Sequence, residues 1–266
     1  TRPVFSGFNT ENLAFWSGES NLFNYPYVLH SVGNYKVGSD PRGSLFRRTG
    51  KFTFFGDSGG YQIGQGTLKG LRDLHGPLSE KQAICGWASN YDAKEWIIKW
   101  LERYADFAMT LDIPLWARLD DCADTPFHRC SEEKILDMTL DNLKLIDQIK
   151  QGRTQWLNVI HGTDFESAER WWNAVKHHRY SGWSLAGATG RIGGFATCLK
   201  TVMLMHHDGA FEPGCDWLHV LGVSQPKWTI FLSAIQRELR KRNPKLQVTY
   251  DSASPFRVAG EYDSFT

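Results

Sequence analysis

The chain has no run of about 18 or more apolar residues, so no membrane-spanning helix is expected. Its first residues, Thr1-Arg2-Pro3-Val4-Phe5, show no charged segment leading into an apolar one, so no secretory leader is expected either. Cysteine is sparse. Cys85, Cys122, Cys130, Cys198 and Cys215 are an odd number, scattered through 266 residues, in a chain too large to need covalent staples. They read as free thiols in a reducing cytoplasm. No internal repeat, low-complexity tract or Pro/Gly linker divides the sequence, which is expected to form a single domain over residues 1–266. Charge of one sign is also lacking: 30 basic against 29 acidic residues leave a net +1. That balance argues against indiscriminate coating of DNA or RNA. It leaves room for a nucleic-acid partner, because phosphate contact needs only a local basic patch.

Aromatic residues are plentiful, with 11 Trp and 16 Phe, and most are expected in core and helix–sheet packing. A short β-like run ending in polar or Gly residues, then a longer amphipathic segment, recurs along the chain. The β-like runs are Pro3–Phe8, Tyr27–Val32, Phe52–Asp57, Phe107–Asp112, Trp156–His161, Gly182–Ala186, Trp217–Gly222 and Gln247–Asp251. One helix is expected after an N-cap at Ser131, with Leu136, Leu140, Leu143 and Ile146–Ile149 apolar. Another is capped by Asp164, with Glu166 and Glu169 early and Lys176, His177 and His178 late. A third runs from about Phe195 to His207, and a last one carries Trp228, Phe231, Leu232, Ile235 and Leu239 and stops at Pro244. Strands joined by crossover helices in a chain of this length predict an α/β fold, a (β/α)8 TIM barrel. A doubly wound sheet is the alternative, but no Gly-rich dinucleotide turn follows an early strand. In a barrel of this kind functional groups sit at the C-terminal strand ends. Those ends carry Asp57, Asp112, His161, Gly187, Gly222 and Asp251.

Two of these ends carry chemistry by residue type. Asp57-Ser58-Gly59-Gly60-Tyr61-Gln62 ends a strand in an acid and opens into a Gly-Gly turn, where backbone amides can approach a ligand and Tyr61 can stack on a planar base. The plain structural alternative is a turn in which Asp57 caps a helix. Tyr250-Asp251-Ser252-Ala253-Ser254-Pro255-Phe256-Arg257 puts a second acid at a strand end. An Asp there suits a covalent nucleophile at an anomeric carbon, with another carboxyl for proton transfer; a salt bridge to Arg257 is its plain alternative.

Taken together, the segments resemble the tRNA-guanine transglycosylase family, including its phage relatives that place 7-deazaguanines in DNA. Asp57–Gln62 matches the family's DSGG(F/Y)Q motif, and Tyr250-Asp251-x-x-x-Pro255-x-Arg257 is similar to FDCxxPTR. Ala105–Asp112 resembles the strand ending in the base-reading Asp, and Asn158–Gly162 the strand ending Gln-Gly. Trp183–Gly187 resembles the (A/I)GG strand and Trp217–Val223 the YLMGVG strand. The likeness keeps its order over about residues 52–257.

The resemblance implies a double displacement on guanine. Asp251 would attack C1′ as nucleophile, and Asp57 would carry the proton as one base leaves and another arrives. Ser58, Gln62, Asp112, His161 and the Gly187–Ala188 backbone would bind the base edge, while Tyr61 and Leu221 would cover its faces. The implied partners are DNA or tRNA, with DNA preferred, and a free 7-deazaguanine base of the preQ0 or preQ1 kind; a partner protein supplying further nucleic-acid contacts is left open. No cofactor is expected. Phosphate contacts are expected from Arg47, Arg48, Arg191 and Arg257, with Arg42 and Lys51 nearby. The cluster Arg237-Arg240-Lys241-Arg242-Lys245 reads more simply as a solvated helix end, as do His177-His178 and His206-His207.

The chain also departs from the family. The C-x-C-x2-C run of the zinc subdomain is absent, so no C-terminal zinc subdomain and no structural metal are expected; Cys122, His128 and Cys130 are the only local metal candidates. His161 stands where the family has Gln, which changes the donor pattern at the base. Ile113-Pro114 replaces Glu-Cys after Asp112, and Asp120-Asp121-Cys122 is a rival for the base-reading acid. Two other functions remain open on sequence: a nucleosidase or glycoside hydrolase using the same carboxylates with water, and a catalytically silent barrel that binds nucleic acid or protein.

Overall fold

Strand and helix alternate along the chain in a computed structural model that describes residues 2–5, 25–41, 44–47, 51–64, 90–114, 132–223 and 225–252. The strands are β1 (Arg2–Phe5), β2 (Tyr27–Ser31), β3 (Thr53–Asp57), β4 (Phe107–Met109), β5 (Gln155–His161), β6 (Gly182–Ala186), β7 (Trp217–Val220) and β8 (Gln247–Ser252). The longer helices are α1 (Tyr91–Tyr104), α2 (Glu132–Ile149), α3 (Phe165–Val175), α4 (Gly194–His207) and α5 (Lys227–Leu239). Strands β2 to β8 pair in chain order, each parallel to the next. The four-residue β1 pairs in parallel with both β2 and β8. The result is an α/β fold with an all-parallel, barrel-like sheet surrounded by helices. Among the described residues no helix is long and apolar enough to cross a membrane.

Period-two alternation divides the strand residues between two cores. Leu29, Phe55, Phe107, Met109, Leu157 and Val159 cluster inside the sheet, with Tyr27, Trp217 and Leu221 packed against them. Phe55 and Phe107 stack at 5.0 Å, and Phe107 meets Trp217 at 4.2 Å. This aromatic layer plugs the interior below the strand C-termini. The outward residues Phe54, Trp156, Ile160, Trp183, Leu218 and Val248 join the larger core under the helices. Helix α3 shows the local logic. Asp164 and Ser167 form a reciprocal capping box, and Ala168, Trp171, Trp172 and Val175 are buried at helical spacing. Two of the buried indoles have satisfied N–H groups: Trp171 donates to the Val159 carbonyl and Trp183 to that of Ala210.

Several boundaries differ from the sequence reading, each for a local reason. Strand β4 stops at Met109 and does not reach Asp112, because the Thr110 hydroxyl accepts the Val159 N–H (3.0 Å) and ends the ladder. Asn142 then donates to the Leu111 carbonyl (3.1 Å), which turns the chain before Asp112. Strand β7 ends at Val220, before the left-handed Gly222 (φ 70°). Helix α3 ends at Val175, so His177 and His178 lie beyond it; Asn158 Nδ2 donates to the His178 carbonyl (2.9 Å) and ties down that turn. Helix α5 ends at Leu239, short of Pro244, as Asn243 donates to Asp216 and accepts from the Lys245 N–H. Ser131 lies outside the described residues, as do residues 6–8 of the first expected strand.

Close strand packing makes one prediction. A Cβ at Gly182 would lie 2.2 Å from the Trp217 carbonyl oxygen, a fixed backbone atom of the neighbouring strand. Gly182→Ala is expected to cost about 1–3 kcal/mol, the usual scale of overpacking, read as a lower urea midpoint; an unchanged midpoint would contradict this packing of β6 on β7.

Candidate active site

The turn after β3 is built around a carboxylate that comes from elsewhere in the chain. Ser58 is fully buried and its hydroxyl donates to Asp112 Oδ1 at 3.0 Å. Gly59 adopts φ 94°, which turns its amide back onto Asp57 Oδ2 (3.3 Å). A Cβ on Gly60 would lie 2.7 Å from both Asp112 carboxyl oxygens. Each position of Asp57-Ser58-Gly59-Gly60 therefore has its own reason: an acid at the strand end, a hydroxyl for Asp112, a left-handed turn, and a residue without a side chain against the carboxylate.

Asp112 is buried and held from a second side by His161, the last residue of β5, whose Nε2 donates to Asp112 Oδ2 at 2.5 Å. His161 Nδ1 is buried and has no hydrogen-bond partner among the described residues. Asp251 faces the same mouth from β8. The left-handed Gly222 points its N–H at Asp251 Oδ1 (2.9 Å), and Val223 N–H binds the Asp251 carbonyl (2.8 Å). Behind Asp251, His219 Nε2 lies 3.4 Å from Oδ1.

These acids act on one another. The Asp57 carboxyl is pushed up to about 7, first by burial, then by the negative charge of Asp112 and, more weakly, of Asp251. Hydrogen bonds with the Ser31 side chain and the Gly59 amide oppose the rise without cancelling it. Ser31 pairs with Asp57 in the β2–β3 register, and its Oγ also lies 3.1 Å from Gln62 Oε1. A carboxyl that keeps its proton near neutral pH, beside others in one mouth, can act as a general acid and then a general base.

Of the other residues singled out from sequence, Tyr61 is 61% exposed on the helical turn Gly60–Gly64. Gly187 has φ 93° and lies against the Gly162 carbonyl, where a Cβ would approach to 2.8 Å. Ala188 is buried, and Leu221 is half-buried with its carbonyl bound by the Thr189 hydroxyl (3.0 Å). Arg47, Lys51 and Arg191 are exposed. Arg42, Arg48, Arg257, Asp120, Asp121, Cys85, Cys122, His128 and Cys130 lie outside the described residues. The basic cluster after α5 is engaged in local pairs, Lys241 with Glu238 and Arg242 with Glu212. Among the described residues, no group of three His, Cys, Asp or Glu side chains is arranged to hold a metal ion.

Sequence reading passed over Ser31 and His219. Both follow from alternation: Ser31 is the inward residue ending β2, and His219 is two residues from the inward Trp217 on β7. Acids and imidazoles at the strand ends stand out in the sequence, and these two residues lie beside or one layer beneath them. In comparisons with known proteins, no family model and no curated protein matches the chain.

The raised Asp57 carboxyl makes stability depend on pH. Its unfolded value is near 3.8 and its folded value about 7, so the folded state holds the extra proton between them. The associated stabilisation is full below the lower value and is lost as pH rises through the upper one. Asp57→Asn has nothing to lose on that climb. Its stability relative to wild type is expected to improve by about 1–3 kcal/mol between pH 4 and pH 8, measured as thermal midpoints across pH. A difference that stays constant across that window would contradict the assignment.

Proposed function

We propose that this chain is a (β/α)8 barrel enzyme that exchanges guanine in nucleic acid for a 7-deazaguanine, through a covalent intermediate on Asp251. The observation that carries this reading is the Asp57 carboxyl, pushed up to about 7 by burial and then by the charges of Asp112 and, more weakly, Asp251, which leaves it partly protonated near neutral pH. A double displacement at an anomeric carbon needs such a division: one carboxylate to attack and one carboxylic acid to give up a proton. The strand-end motifs that resemble the guanine transglycosylases supply the leaving group, which neither acid identifies alone.

In the first half-reaction a carboxylate oxygen of Asp251 forms a bond to C1′. The C1′–N9 bond breaks, its electron pair leaves with the purine, and Asp57 protonates the departing base. In the second, Asp57 takes a proton from the incoming base, whose nitrogen attacks C1′ while the ester bond to Asp251 breaks. Two inversions retain the β-configuration. The buried Asp112 carboxylate suits the donor edge of guanine, which presents N–H groups to an acceptor. Ser58 and His161 fix that carboxylate, and the Gly187–Ala188 backbone and Gln62 are the further proposed contacts to the base edge. Tyr61 and Leu221 suit the two faces of an unstacked base. Extruding the base is least costly from single-stranded or looped substrate. Arg47, Arg48, Arg191 and Arg257 are the proposed phosphate contacts, and DNA is the preferred polymer on the strength of the resemblance to the phage enzymes.

The test uses guanine-containing DNA and tRNA with a labelled 7-deazaguanine base. Incorporation of label with release of guanine is expected. Asp57→Ala should lower turnover about 10²-fold or more, the usual scale of losing a general acid/base, and Asp251→Asn should abolish exchange. Exchange at the wild-type rate in Asp251→Asn would remove the nucleophile assignment, and guanine release without incorporation would make the enzyme a hydrolase.

A further inference from the structure

Beneath Asp251 lies a polar network that the reaction as written does not use. His219 is fully buried on the inner face of β7, its ring stacked on Phe55 at 5.5 Å and 27°. Trp217 Nε1 lies 2.9 Å from Thr249 Oγ1, and Thr249 Oγ1 lies 2.7 Å from His219 Nδ1. His219 Nε2 is 3.4 Å from Asp251 Oδ1 and makes no hydrogen bond among the described residues.

The direction of this network follows from its two ends, the Trp217 indole and the Asp251 carboxylate. An indole N–H only donates, so Thr249 Oγ1 accepts from Trp217. Thr249 Oγ1 keeps its own proton to donate to His219 Nδ1, and this is the arrangement that turns a proton, not a lone pair, toward the Asp251 carboxylate 3.4 Å from Nε2. In the neutral imidazole the remaining proton sits on Nε2, the nitrogen that faces Asp251. A buried N–H left without a full hydrogen bond carries a cost of about 1–3 kcal/mol, so its retention here calls for an explanation. Hydrogen bonds of catalytic groups are often long in the unliganded state and tighten as charge develops.

We propose that His219 is a positioning residue for Asp251: its Nε2–H, oriented through Trp217 and Thr249, holds Oδ1 and stabilises the carboxylate as it leaves the sugar. This rests on the reading of Asp251 as nucleophile. In the second half-reaction the C1′–O bond to Asp251 breaks and its electron pair returns to the carboxylate. A donor aimed at that group favours the returning charge. In the first half-reaction the same donor stabilises the attacking carboxylate before it reacts, so it gives no advantage there. Removing His219 should therefore slow release of the intermediate more than its formation.

Two measurements test this. Side-chain ¹⁵N spectra of the protein without substrate, at pH 8, should show His219 protonated on Nε2 and bare on Nδ1, and Thr249→Val should redistribute that proton. A ring protonated on Nδ1 in the wild type would overturn the relay, whatever reaction the enzyme catalyses. With guanine-containing DNA, His219→Phe keeps the stacking on Phe55 but removes both nitrogens. It should lower turnover about 10- to 100-fold, the scale of one hydrogen bond to a charged group, while the covalent adduct on Asp251 accumulates. His219→Gln, which restores an amide donor, should recover most of the rate. Should His219→Phe fail to fold, Thr249→Val is expected to shift turnover and adduct in the same direction. Wild-type turnover and adduct level in a folded His219→Phe would overturn the proposal. A wild-type protein that forms no adduct would instead count against the nucleophile, and the ¹⁵N spectra would still decide the relay.

Discussion

Three carboxyl groups, Asp57, Asp112 and Asp251, face one mouth, and their mutual repulsion is the constraint that organises the residues around them. Like charges in a site of reduced dielectric are expensive unless each is neutralised, hydrogen-bonded or protonated. The fold applies a different remedy to each. Asp112 receives a serine hydroxyl and an imidazole N–H. Asp251 receives a backbone amide, made available by a left-handed glycine. Asp57 has its carboxyl pushed up to about 7, where it can hold a proton. The asymmetry among these remedies gives three groups of one chemical type three different capacities.

The surrounding architecture serves that arrangement. Parallel strands bring their C-terminal ends to one side of the sheet, so residues almost 200 positions apart meet at the mouth. The aromatic layer of Phe55, Phe107 and Trp217 closes the interior beneath it. Burial is the first cause of the raised Asp57 carboxyl, ahead of either neighbouring acid. Packing and electrostatics are therefore not separable here: opening the site to water would lower the Asp57 carboxyl as surely as removing a charge.

Much of this was legible in the sequence, and the part that was not has a physical explanation. The strand ends at Asp57 and His161, and Asp251 one residue before the end of β8, could be read because each stretch closes on polar residues. The capping of α3 by Asp164 followed from residue type. What escaped were side chains that substitute for backbone. Thr110 takes over a ladder hydrogen bond and ends β4 early, and Asn142, from a helix 31 positions on, fixes the turn that delivers Asp112. Nothing in a local pattern announces a hydroxyl or amide that will serve another segment's backbone. Ser31 and His219 escaped differently, being inward residues whose importance depends on what stands across the interior from them.

The most direct test of the account is the titration of the Asp57 carboxyl itself, followed by carboxyl ¹³C resonance in wild type and in the Asp112→Asn and Asp251→Asn variants. The account predicts a midpoint at about 7 in the wild type that moves down in both variants, further when the charge at Asp112 is removed. A midpoint near the ordinary 3.8, unmoved by either substitution, would mean that the acids do not share a site, and the division of roles among them would fall with it.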